Sequence, residues 1–454
     1  MTENSRHSYL CRVWALGQGK SFRATLIRGG AGSLAVKSAN LVLSFLLAIT
    51  LARTLGADGY GVYAFAMALV SLLAIPVQVG IPQVVLRETA NAAVREDWGL
   101  MRGLWRWATR AALIFSAVML VLGLTAIWVY RADMDVTTAT TLAIAFLLVP
   151  MLALGNLRSA ALRGLQRVVL GQLPEAVIRP GGLFLLVTLW AMLSSSPLTP
   201  PVAMALNFAI VGVAFLFGAW ILRSARPSGL VAKPEPESEP TFWRRAAIPL
   251  ALAGGLQLIN GQTDIIVLGV FRPSEDVGVY RVTVQVAALV TFGLMAINQV
   301  IAPHISRLYT SGDLQKLQRL VTNAVVATSL LATVPAIALI FFADEILGAV
   351  FGDAFSVGAF ALTVLVFGQL ANAVMGPVAM VLNMTGHERS TLKGVGVAAA
   401  LNVCLNIILI PQLGMDGAAL STAISLSAWN LLLAFSLKRD TGIRIGPLVL
   451  MGKK

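Results

Sequence analysis

Charge is scarce in this chain. Asp, Glu, Lys and Arg supply 12% of its 454 residues, against about 25% in soluble domains. A water-soluble fold of this length needs a charged surface, and too little charge is present to make one. Cysteine is scarcer still: Cys11 lies in the polar N-terminal segment and Cys404 inside an apolar run, which leaves no disulfide framework and no thiolate metal site. The three histidines, His7, His304 and His387, are scattered and make no metal-ligand spacing. No Gly-rich phosphate loop is present, which argues against ATP hydrolysis. No catalytic residues, metal ligands or cofactors are therefore expected, and the chain reads as a non-enzyme.

What is abundant is apolar surface. Hydrophobic residues make up 57% of the chain, and the mean hydropathy is +0.81. A spanning helix needs roughly 20 mostly apolar residues. Runs of that kind lie near 33–53, 63–82, 107–130, 140–160, 170–193, 201–222, 246–270, 278–301, 321–342, 357–382, 394–412 and 416–437. The net charge of +13 would suggest nucleic acid if it formed one patch. Instead the basic residues fall in short segments between the runs. Only Arg53, Arg131, Arg272 and Arg281 sit on or beside the outer loops when the N-terminus is placed in the cytoplasm. That asymmetry is what the positive-inside rule requires with both termini cytoplasmic.

The expected fold is thus an all-α membrane protein of about twelve transmembrane helices in two six-helix lobes. Residues 1–32 read as a cytoplasmic tail without the apolar core of a signal peptide, with an interfacial helix around Tyr9 to Leu16. The lobes are expected at 33–222 and 246–437, with a cytoplasmic tail at 438–454. They are joined by a cytoplasmic linker at 223–245, rich in Pro and Glu. Gly61-Val62-Tyr63 and Gly278-Val279-Tyr280 occupy the same place relative to their own helices, a short trace of an internal repeat. Six spans per lobe leave both lobes in one orientation, so a pseudo-twofold along the membrane normal is expected.

Polar side chains at membrane depth are costly, so their placement is informative. Lys37, Asn40 and Ser44 share a spacing of i, i+3, i+7 with Gln172, Glu175 and Arg179, and with Gln257, Asn260 and Asp264. At about 100° per residue each trio falls within an arc of roughly 60°. Gln369 and Asn372, with Asn383 beyond, and Arg281 with Gln285 add two further polar faces. These faces either line a cavity or hydrogen-bond between helices. Glu175 and Arg179 have the spacing of an i, i+4 ion pair. Asp264 has no basic residue within a turn. It binds a cation or proton, pairs with an Arg across the cavity, or makes a structural bond. Pro76, Pro150, Pro180, Pro249, Pro335 and Pro377 are expected to kink their helices.

The stretches LARTLGADGYGVYAFAMALVSLL (51–73) and GIPQVVLRETA (80–90) resemble the opening of bacterial oligosaccharide flippases of the polysaccharide-transporter, O-antigen flippase-like family. That family belongs to the superfamily of multidrug, oligosaccharidyl-lipid and polysaccharide exporters. The resemblance resumes at TDIIVLGVFRPSEDVGVYRV (263–282) and APHISRLYTSGD (302–313). It closes at LNMTGHERS (382–390) and NVCLNIILIPQLGMDGAALSTAIS (402–425). It implies two lobes around a cationic cavity that moves an isoprenoid-pyrophosphate-linked oligosaccharide across a bacterial inner membrane, for O-antigen or exopolysaccharide synthesis. Lys37, Arg53, Arg179 and Arg281, with Glu175, are the candidate substrate-binding residues. Asp264 and Asn260 are the candidate ion-coupling pair.

The implied partners are lipid-linked oligosaccharide, membrane lipids and a polysaccharide polymerase or glycosyltransferases, with no nucleic acid. A drug or cation antiporter of the same superfamily is the alternative; it would prefer a more acidic, aromatic cavity. Peptidoglycan-precursor flippases usually carry two additional helices, and polymerases a large outer loop.

Overall fold

The computed structural model describes residues 22–232, 235–237 and 239–446. The expected interfacial helix near Tyr9, Cys11, part of the linker and residues 447–454 of the C-terminal tail lie outside them.

The described chain is almost entirely helical. It begins with α1 (Phe22–Leu73), a π-turn at Pro76–Gly80 and α2 (Ile81–Arg95). Next come α3 (Trp98–Val129), α4 (Val136–Gly164) and α5 (Val168–Leu173). A second π-turn, Pro174–Ile178, leads into α6 (Arg179–Leu193), α7 (Pro200–Ser224) and the short α8 (Ser228–Val231). Beyond the linker lie α9 (Pro240–Phe271), α10 (Ser274–Ala287) and, after a 3-10 turn, α11 (Phe292–Thr310). The chain ends with α12 (Leu314–Phe341), α13 (Ala343–Phe351), α14 (Ala359–Met375), α15 (Val378–Met384) and α16 (Glu388–Thr441).

Among the described residues, nine helical stretches are long and apolar enough to cross a membrane. Two of them are bent pairs. Gly56 (φ 69) interrupts α1 and Gly414 (φ 58) interrupts α16, each in a left-handed conformation that suits glycine. In a straight helix Asn402 and Ser425 would be about 35 Å apart. Yet the Asn402 amide donates to the Ser425 hydroxyl at 3.2 Å, so α16 doubles back at Gly414. Ser44 and Ser71, about 40 Å apart in a straight helix, line one cavity, so α1 doubles back at Gly56. With these reversals and α9, the architecture is compatible with twelve spans.

The helix starts are built locally. Asp97, Asp135 and Asp313 cap α3, α4 and α12 by accepting from the N–H groups of Leu100, Thr138 and Lys316 at 2.9–3.0 Å. The bond from Thr138 holds the Asp135 carboxyl below the usual carboxylate range.

The outward faces are apolar. Val121, Leu193, Trp220, Leu252, Leu330 and Phe341 are all more than half exposed, an arrangement that suits lipid and not water. Between the helices small residues dominate; Ala52, Ala66, Ala145, Ala153, Ala160 and Ala203 are fully buried and let backbones approach closely. In the N-terminal half α4 packs on α3, α2 and α7. In the C-terminal half α16 packs on α14 and α9. The halves meet where α10 lies against α1 and where α9 crosses the Pro76–Gly80 turn. One end of the bundle carries the linker and the ends of α7 and α16, here called the linker face. The other carries Gly56 and Gly414, the loop face.

Candidate functional site

A cavity of about 400 Å³ lies between the halves. Both arms of α1, the Pro174 turn, α6 and α7 form its N-terminal wall, and α9 and α10 its C-terminal wall. Arg179 at the start of α6 and Arg281 on α10 bring one guanidinium from each half. Tyr60 and Tyr63, ring centroids 6.5 Å apart and nearly parallel, line it with them. The amides Asn40, Asn207, Gln262 and Gln285 complete the polar surface, and Glu175 is its carboxylate. Gln285 is held by a 3.0 Å bond to the Ser44 carbonyl, which ties α10 to α1 across the cavity wall.

Glu175 departs from the expected pairing. Its carboxylate lies 3.6 Å from the Arg158 guanidinium on α4, and no ion pair with Arg179 forms. The cause is local. Pro174 begins a π-turn in which the Arg179 N–H donates to the Pro174 carbonyl five residues back, so the i, i+4 stacking of an α-helix is lost. Arg158 is 6% exposed, donates to the Phe215 carbonyl and has its guanidinium 5.1 Å from the Phe215 ring centroid.

Of the other expected cations, Lys37 is exposed and does not line the cavity, although Asn40 and Ser44 of its stripe do. Arg53 is also exposed, and its guanidinium donates to the carbonyls of Ala349 and Val350 at the end of α13, the latter at 2.8 Å. It therefore ties the loop-face ends of the two halves together. Gln172 accepts from Ser33 at 3.1 Å, and Asn372 from Asn430 at 3.0 Å; both are helix-to-helix bonds.

Asp264 is 4% exposed and lies outside the cavity lining. Its Oδ2 accepts from the Tyr280 hydroxyl at 2.6 Å and from Thr422 at 3.1 Å, and no Arg reaches it. Its Oδ1 has no hydrogen-bond partner among the described residues, and neither has Asn260 Oδ1, one turn away on α9. Three helices of the C-terminal half, α9, α10 and α16, thus converge on one carboxylate.

Residue reasoning missed Tyr60, Tyr63, Asn207 and Gln262 as lining groups. Tyr63 and Tyr280 close the two Gly-Val-Tyr tripeptides, which served only to mark the repeat. Their position about two turns past the Gly56 bend and the start of α10 was the available signal.

The fold and the cavity between its halves define a multi-pass membrane transporter. Residues 26–309 match the polysaccharide biosynthesis protein family, and the chain belongs to it. Residues 249–408 also match the MatE family. Over 408 residues the chain is 26% identical to the probable low-salt glycan biosynthesis flippase Agl15 of Haloferax volcanii, covering 88% of this chain and 81% of that protein. The probable flippase AglR of the same organism is 27% identical, with 90% and 83% covered. An inward-facing multidrug resistance MATE transporter superposes with a TM-score of 0.74 at 14% identity, covering 91% of this chain and 98% of the other. The lipid II flippase MurJ in an inward closed conformation gives 0.71 at 13% identity, with 91% and 87% covered.

Proposed function

We propose that this chain is a flippase that carries a lipid-linked oligosaccharide across the cell membrane, its pyrophosphate seated between Arg179 and Arg281. The observation that carries the reading is that pair of guanidiniums, one from each half, in a cavity where the halves meet. A diphosphate in a low-dielectric cavity is held best by charge-assisted bonds to arginine. The amides and tyrosines offer hydrogen bonds and stacking surface to sugars. The similarity to the glycan biosynthesis flippase Agl15 supports the same substrate class, and that to the flippase AglR supports the same transport step.

In this reading the linker face and both termini are cytoplasmic, as the distribution of Lys and Arg favours. The cargo enters there and leaves at the loop face by alternating access of the halves. Asp264, with Asn260 beside it, takes up the coupling cation or proton. Lys37 and Arg53 act outside the binding step, and polymerase or glycosyltransferase partners would dock at the cytoplasmic face. The MatE match favours a second reading, a drug or cation antiporter.

The discriminating experiment is the sidedness of lipid-linked oligosaccharide in cells depleted of the protein. Accumulation of labelled carrier on the cytoplasmic leaflet, rescued by the wild type and not by the Arg179→Gln/Arg281→Gln variant, is the expected result. Normal carrier distribution with new sensitivity to cationic drugs would replace the flippase by the antiporter.

A further inference from the structure

A second and larger cavity, about 880 Å³, lies wholly within the N-terminal half, between α3, α4 and α7 near the linker face. Arg102, Arg106 and Arg110 line it from α3, spaced four residues apart and therefore on one face of that helix. Arg158 enters from α4, and Arg223 and Arg226 from the end of α7 and just beyond. Among the described residues no carboxylate lines this cavity. Arg106, Arg110, Arg223 and Arg226 have no ion-pair partner there either. The remaining wall is apolar, including Trp105, Leu154, Leu157 and Phe215.

So many like charges around one void repel each other, and they are tolerable only with a counter-anion or full hydration. Arg158, 6% exposed, closes the inner end of this cluster: its Nη1 donates to the Phe215 carbonyl, its Nη2 lies 3.6 Å from the Glu175 carboxylate, and its Nε has no hydrogen-bond partner among the described residues. Basic pockets between helices on the cytoplasmic side of a membrane suit anionic lipid head groups, with the tail against the apolar wall.

We infer that this cavity seats the phosphate headgroup of an anionic membrane lipid, as a site separate from the one between the halves. Arg106, Arg110 and Arg223 hold the phosphate at the rim, and the buried Arg158 adds its positive charge from beneath. Arg158 is also the residue 3.6 Å from Glu175, which lines the central cavity. The lipid therefore sits one ion pair away from the central site, and its presence sets how strongly Arg158 draws on Glu175.

The test is native mass spectrometry of the full chain, purified in mild detergent and offered phosphatidylglycerol or phosphatidylcholine. The wild type should retain phosphatidylglycerol at least tenfold better than phosphatidylcholine. Arg106→Gln/Arg110→Gln/Arg223→Gln should abolish the preference, whereas Arg179→Gln/Arg281→Gln in the central cavity should keep it. Retention unchanged in the triple variant, or lost equally in the central variant, overturns the site. Inorganic phosphate that displaces the lipid or stabilises the protein as well as the lipid does would make the ligand a free anion and overturn the lipid assignment. Should the triple variant not fold, tryptophan quenching by brominated phosphatidylglycerol reads the same site. That quenching should shrink in Trp105→Phe, and equal quenching there would also overturn it.

Discussion

Gly61 and Gly278 meet backbone to backbone across the two halves. A Cβ on Gly61 would overlap the Ser274 carbonyl and lie 3.0 Å from the Gly278 nitrogen. One on Gly278 would overlap the Ala57 carbonyl and lie 2.9 Å from the Gly61 nitrogen. The two glycines are the matching residues of the two Gly-Val-Tyr tripeptides, and a twofold axis running between the halves would bring them together in this way. Ser274 donates to Asp58 beside them, and Arg53 reaches α13 from the same end of α1. Beside the cavity lined by Arg179 and Arg281, the halves are thus held together at the loop face by contacts that only glycine permits.

A side chain at either glycine should therefore hold the loop face open, because the obstructing atoms are backbone and cannot rotate away. In a background lacking Cys11 and Cys404, Leu51→Cys places a reporter on the cavity wall. Gly61→Val or Gly278→Val should raise its labelling by a membrane-impermeant maleimide added from outside several-fold and abolish transport. Arg53→Ala, which removes only two exposed bonds worth about 1 kcal/mol each, should raise it less. Labelling at the wild-type level in the valine variants would show that the glycine contact does not hold the loop face closed.

Much of this architecture was legible because lipid imposes length and apolarity on every spanning helix. The polar stripes placed Asn40, Ser44, Glu175, Arg179, Arg281 and Gln285 on the cavity, since 3.6-residue periodicity survives wherever the helix is regular. It failed at Glu175–Arg179, where Pro174 opens a π-turn and shifts the following register. It did not bring Lys37 to the cavity, because periodicity fixes a face but not how far along the helix the cavity reaches; Arg53, a candidate from the family resemblance, lies outside the cavity lining as well. The stripe of Arg102, Arg106 and Arg110 was visible too. It was absorbed into the positive-inside count, which explains basic residues near a membrane face without asking what they surround.

The Arg158–Glu175 pair makes a second prediction. Arg158 is almost fully buried, and Glu175 is the carboxylate nearest to it. Removing that carboxylate leaves a buried cation without its counter-charge, which costs about 1–3 kcal/mol. Glu175→Gln should lower the thermal midpoint measurably, and Arg158→Gln should do the same. The double variant should be less destabilised than the two single effects summed, because neither orphan charge remains. Strictly additive losses would show that the two groups act independently.

Asp264 carries the last prediction. The hydroxyls of Tyr280 and Thr422 both donate to Oδ2, and among the described residues Oδ1 and the Oδ1 of Asn260 one turn away have no hydrogen-bond partner. Two buried acceptor oxygens one turn apart on α9, neither tied up by a fixed hydrogen bond, suit a proton or a small cation. Asp264→Asn keeps an acceptor for Tyr280 and Thr422 and so should fold normally, with a thermal midpoint close to wild type. It cannot take up and release a proton, and it holds a cation weakly. Carrier translocation in proteoliposomes should then lose its dependence on an imposed proton or sodium gradient while a slow, gradient-independent rate persists. Asp264→Leu strips both hydroxyls of their acceptor and should instead destabilise by about 1–3 kcal/mol. Full gradient-driven transport by Asp264→Asn would assign this carboxylate to packing alone and move the coupling site elsewhere in the molecule.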